Sequence, residues 1–115
     1  MFGWMTNEKL RGVVGFNNFI GKTCQMHVAM DPEYRFSPRE MLKVCFQYAF
    51  DTRKCELILG IVNGNNFPAL RYDAHLGFIE LLRLSGMHVG GGDLVVLGLR
   101  RVDCEYVTTI KEKAA

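Results

Sequence analysis

Residues 57–78, LILGIVNGNNFPALRYDAHLGF, constrain the fold more than any other stretch of the chain. Leu57, Ile58, Leu59, Ile61 and Val62 form an almost continuous apolar run, the pattern of a strand covered on both faces of an α/β sheet. Asn63, Gly64, Asn65 and Asn66 end it. Pro68 suits the first turn of a helix capped by Asn66 or Phe67, and Gly77 stands where that helix stops. A strand, a polar loop and a helix N-terminus in succession bring unpaired backbone N–H groups together at one place, where a ligand can be held.

The preceding elements support this reading. Residues 1–5 and 10–16 read as two strands around a polar turn, Thr6-Asn7-Glu8-Lys9, so the chain opens with a hairpin. In TCQMHVAM, residues 23–30, Cys24, Met26, Val28 and Met30 alternate with a face carrying Gln25 and His27, which predicts a third strand. Ser37-Pro38-Arg39-Glu40 is a helix start with the elements of a capping box. Leu42, Cys45, Phe46, Ala49 and Phe50 continue it as an apolar stripe, which predicts a helix over residues 38–52 packed on the sheet. Strand, helix and the strand over residues 55–62 then make a crossover between parallel neighbours. Residues 79–84 and 94–100 read as strands joined by a flexible glycine-rich loop, SGMHVGGGD, and residues 102–115 as a less ordered tail, with Tyr106-Val107 able to extend the last strand.

A chain of 115 residues, 49% hydrophobic, suits one domain over residues 1–115. Its 14 basic and 12 acidic residues are scattered, which gives no nucleic-acid footprint. Cys24, Cys45, Cys55 and Cys104 lack metal-ligand or redox spacing, so buried free thiols and no metal are expected. With no apolar run near the ~20 residues of a membrane span and no signal-peptide pattern, a cytoplasmic setting is expected.

With these residues in place, the sequence resembles the GNAT superfamily of acetyl-CoA-dependent N-acetyltransferases. Asn66, Ala69 and Leu76-Gly77-Phe78 fall on that family's asparagine, small residue and closing Leu-Gly-Phe. Arg71 stands where enzymes that acetylate ribosomal-protein N-termini often have arginine, and HVAMDPEYR, residues 27–35, is similar to the central strand running into the pyrophosphate loop. The wording of the chain is most similar to short, phage-encoded members. The resemblance implies a mixed α+β fold: a mostly antiparallel sheet with a central parallel strand pair and two helices, without the usual N-terminal strand and two helices. It implies acetyl-CoA as cosubstrate and a primary amine of a protein or small molecule as acceptor. It would set Met26, His27, Val28, Ala29 and Met30 along the pantetheine arm, with Asn66 beside it. Arg35, Ser37 and Arg39 would lie at the pyrophosphate, near a helix N-terminus.

The sequence departs from the family pattern at two places. The loop Arg35 to Glu40 contains neither of the family's glycines, which predicts weaker phosphate binding, with Arg35 and Arg39 partly compensating. The position seven residues after Asn66, commonly a tyrosine acting as general acid, is Asp73. A rotation of about 100 degrees per helical residue predicts that neighbouring Tyr72 points elsewhere. Asp73 can donate a proton only if burial raises its pKa, and His27, or Glu33 through water, is the candidate base. Ordinary packing roles are the competing reading for His27 and Tyr72, and surface positions for His75 and His88. The shortened N-terminal wall predicts a homodimer or another covering partner. Two functions follow: an N-acetyltransferase, or a noncatalytic interaction or virion accessory protein on the same scaffold.

Overall fold

Six strands form one sheet in the order β1-β2-β3-β4-β6-β5 in a computed structural model that describes residues 1–6, 8–30 and 39–107. The strands are β1 (Phe2–Thr6), β2 (Lys9–Ile20), β3 (Thr23–Met30), β4 (Leu57–Asn63), β5 (Ile79–Leu84) and β6 (Leu94–Arg100), with helices α1 (Arg39–Gln47) and α2 (Phe67–Leu76). All pairings are antiparallel except β3 with β4, the pair that the crossover through α1 requires. The mixed α+β architecture, with one central parallel pair and two helices, is the one expected from the sequence.

Strand register shows which face of the sheet is covered. Cys24 pairs with Ile58 and Ile58 with Leu99, so these buried side chains project to the same side. Val14, Met26, Val95 and Leu97 share that side and pack with Leu42, Cys45, Phe46, Ala49 and Phe50 in one core. The opposite side of β4 carries Leu57, Leu59 and Ile61, and Ile61 is 47% exposed. Leu57 and Leu59 are half-buried, and among the described residues both helices pack on the other side, so the apolar run at residues 57–62 belongs to a strand that the described helices cover on one face, where two covered faces were expected. An unbroken run of aliphatic residues records hydrophobicity on both faces but not whether a layer lies over each.

Several boundaries differ from the pattern reading. β2 is twelve residues long, because Asn17 and Asn18 pair with polar groups of β3 instead of ending the strand: His27 Nε2 shares a 2.8 Å hydrogen bond with Asn17 Oδ1, and Asn18 Nδ2 donates to Gln25 Oε1 at 2.5 Å. The helix over residues 38–52 is an α-helix followed by a π-helical turn, Tyr48–Thr52. Arg101 fastens this turn by donating to the Phe50 carbonyl at 2.6 Å and pairing with Asp51. Residues 102–107, expected in the tail or as a strand extension, instead continue from Arg101 as a 3-10 turn (Arg101–Asp103) and a bend that buries Cys104 and Val107. The Tyr106 ring stacks on Phe46 with centroids 5.6 Å apart.

All four cysteines are free and buried. Burial pushes Cys24 up to about 12, with neighbouring Cys55 adding to the effect, and pushes Cys45 and Cys104 up to about 11. These three are thiols, not thiolates, at neutral pH and are inert as nucleophiles. Trp4, 5% exposed, lies across Gly12, where an added Cβ would stand 2.3 Å from the indole Cη2. Gly12→Ala is therefore expected to displace Trp4 and to lower stability by about 1–3 kcal/mol in urea unfolding.

Candidate active site

β3 and β4 are paired only from Thr23 to Gln25 and from Leu57 to Leu59. Beyond these residues the two strands are no longer paired with each other, and a cleft of about 750 Å³ opens between them. That volume is within the range of small-molecule sites. Met26, His27, Val28 and Met30 line it from β3, Gly60 to Asn63 from β4, and Phe78 from the position just before β5. Gly60 contributes only backbone to this wall, and a Cβ there would meet nothing closer than Phe78 at 3.9 Å.

The mouth of the cleft is built by the asparagine loop and α2. Asn63 Oδ1 accepts from the Asn65 backbone at 2.9 Å, and Asn66 Oδ1 caps α2 by accepting from the Ala69 backbone at 3.3 Å. Pro68 follows in the first turn. Gly77 ends the helix at φ 108, a conformation that glycine adopts without strain, and its N–H bonds back to Ala74 at 3.1 Å. Asn66, Pro68, Ala69, Arg71, Tyr72 and Asp73 line the cleft. Tyr72 and Asp73 thus both face it, which corrects the expectation that one residue of rotation turns Tyr72 away. Positions 68, 69, 72 and 73 are i, i+3 and i+4 neighbours, and a cleft running beside the helix meets that whole arc.

Burial raises the Asp73 carboxyl from 3.8 to about 6. This is the condition under which an aspartate exchanges protons near neutral pH. His27 borders the cleft, and its ring is tied to Asn17. Ala29 does not line the cleft; with Lys9, Leu10 and Val13 it borders a shallow groove. Arg39 is engaged elsewhere, 3.7 Å from Glu105 and with its guanidinium 5.2 Å from the Tyr106 ring centroid. Arg35, Ser37 and Glu33, together with the expected capping box, lie outside the described residues.

His88, read from the sequence as a surface residue, joins the cleft wall. The β5–β6 loop that carries it is braced: Asp93 accepts from the Gly86 backbone at 3.1 Å and from Arg83 at 3.0 Å, and the Gly64 N–H donates to its carbonyl at 2.9 Å. The Gly90 N–H donates to His88 Nδ1 at 2.9 Å, which leaves the proton of the neutral ring on Nε2. A Cβ on Gly92 would stand 2.2 Å from Asn63 Oδ1. In the sequence, SGMHVGGGD shows only flexible glycines; the close packing of Gly90 and Gly92 on Asn63 is what brings His88 to the site.

No protein-family model matches the sequence, and no curated protein matches it. Solved structures do match the fold. A spermidine N-acetyltransferase variant from Vibrio cholerae superposes with a TM-score of 0.70 at 19% identity, covering 88% of this chain and 62% of that one. A GNAT-family acetyltransferase from Bacillus anthracis gives 0.67 at 18% identity, covering 79% and 58%. A Salmonella typhimurium protein solved with its cofactor acetyl-CoA gives 0.68 at 18% identity, covering 82% and 60%. The chain has the GNAT acetyltransferase fold and spans about three fifths of the length of these structures. Among the described residues, no helix is long and apolar enough to cross a membrane.

Proposed function

We propose that the chain is an N-acetyltransferase that moves an acetyl group from acetyl-CoA to a primary amine, in a cytoplasmic setting and as a homodimer. The observation that carries this reading is the cleft where β3 parts from β4. It combines apolar walls, the side-chain amides of Asn63 and Asn66, and a carboxyl poised near neutral pH. Met26, Val28, Val62 and Phe78 would hold an apolar arm, and Gly60 leaves room for it beside β4. Four buried thiols suit a reducing compartment.

The chemistry assigned to the chain's residues is proton management. The acceptor amine must be uncharged to attack the thioester carbonyl carbon. The N–C bond forms as the C–S bond breaks, and the amine proton passes to Asp73 and from there to the departing sulfur. A carboxyl near 6 is mostly ionised at pH 7 and so accepts the first proton; the thiolate, near 8.5 in its free form, takes it back. Tyr72 Oη is the alternative donor from the same helix face, and His27 the alternative base from β3.

A noncatalytic scaffold is the second reading. It is favoured by the absence of tyrosine at position 73 and by the engagement of Arg39 with Glu105 and Tyr106 away from the cleft. Thiol release from acetyl-CoA, measured across polyamines, amino-sugar amines and peptide N-termini, separates the two. Amine-dependent release that saturates supports the enzyme. Acetyl-CoA binding with no release from any amine supports the scaffold.

A further inference from the structure

We propose that the face of the sheet over which no described helix lies is the surface on which a second copy of this chain docks, sheet against sheet. This deepens the homodimer reading above and rests on it. By register, Ile61 and Leu59 of β4 lie beside Val96 and Gly98 of β6, which pair with Leu82 and Ile79 of β5. Leu81, at the register shift in β5, lies over Gly98, where an added Cβ would stand 2.5 Å from its Cδ1. Every residue of β5 is exposed, with Ile79, Leu81, Leu82 and Leu84 between 42% and 57%. Monomeric proteins seldom leave such a contiguous aliphatic surface bare.

The placement of the charges suits a second copy as the occupant. Glu80 and Arg83 pair with Leu97 and Val95, on the helix-covered side, and bond to each other at 2.9 Å. The open side of β4, β6 and β5 carries one charged residue, Arg100, at its end. A twofold interface sets a patch against itself, so an uncharged aliphatic patch meets its own copy without like-charge repulsion. The β2–β3 half of the same face is polar, with Asn17, Gln25 and His27 tied in hydrogen bonds, and serves as a rim. Strand spacings of ~4.8 Å and rises of ~3.4 Å give six strands a face of roughly 29 by 23 Å. Side-chain relief brings this projected area near the ~800 Å² per partner of a standard interface, and two sheet faces pack at ~10 Å.

The partner would also complete the site. His27 and Ile61 project to the open side yet line the cleft, so the gap between β3 and β4 reaches that side and a second copy would close it.

Sedimentation velocity from 1 to 100 µM tests the proposal. The wild-type chain is expected to pass from mostly monomer at 1 µM to mostly dimer at 100 µM. Leu82→Glu combined with Leu84→Lys is expected to weaken association at least 100-fold, while Val44→Glu, on the exposed side of α1, leaves it unchanged. A wild-type monomer at 100 µM, or a double variant that dimerises like wild type, overturns the proposal. Hydroxyl-radical footprinting of wild type gives the same answer without substitutions: oxidation of Leu81, Leu82 and Leu84 should fall severalfold between 1 and 100 µM, and unchanged oxidation overturns the interface. Acetyl-CoA binding by the wild type, measured alongside, distinguishes failure of this interface from failure of the acetyltransferase reading.

Discussion

Gly60→Leu is expected to abolish acetyl-CoA binding while leaving the fold intact. Gly60 lies in β4 just past the last residue paired with β3, where the cleft opens. A Cβ at this position has only Phe78 nearby, at 3.9 Å, so the new side chain meets little protein and extends into the slot. A glycine in a strand also costs roughly 0.5–1 kcal/mol relative to alanine, so the substitution need not destabilise the sheet. A loss of at least 100-fold in affinity, about 2.7 kcal/mol, is expected in a calorimetric titration, with a melting temperature within a few degrees of wild type. Undiminished affinity would show that the ligand lies outside this cleft.

Asp73→Asn carries the second large effect, and it has two separable signatures. Folding raises the Asp73 carboxyl from 3.8 to about 6, so the native state holds the proton more tightly than the unfolded chain. Native stability therefore falls as pH rises from about 4 to about 6 and is level above that window. The shift corresponds to about 3 kcal/mol for a fully dry carboxyl, and to about 1–2 kcal/mol once screening by water at its partly exposed edge is allowed for. Asparagine removes this cost, so the variant should melt higher than wild type at pH 7 and equal to it below pH 4. Activity should move the other way. If Asp73 relays the amine proton, kcat/KM rises through an acid limb near pH 6 in wild type, and the variant loses that limb together with about 10²–10³ of the rate. A variant with an unchanged acid limb would remove Asp73 from the mechanism.

The segment from β4 through α2 was legible because its signals are local. Asn66 caps the helix, Pro68 sits in its first turn and Gly77 closes it in the left-handed conformation, as these residue types do in short peptides. The parallel β3–β4 pair was legible because a strand, a long helix and a strand leave few other connections. What escaped the sequence depends on distant partners. β6 inserts between β4 and β5, leaving β5 at the edge, and nothing in ELLRL distinguishes an edge strand from an inner one. Cys104 and Val107 are buried because Tyr106 meets Phe46 from sixty residues away. His88 reaches the cleft through glycines packed on Asn63, a contact with no sequence period. Chemical type alone marked Asp73 as a departure from the family pattern. Its environment makes it a titrating group near neutral pH, and environment is a tertiary property.

The most direct measurement is a calorimetric titration of the wild-type chain with acetyl-CoA, which requires no knowledge of the acceptor. Saturable heat with one site per chain and a micromolar Kd, lost in Gly60→Leu, is the predicted result. Absence of saturable binding up to millimolar acetyl-CoA would contradict the account.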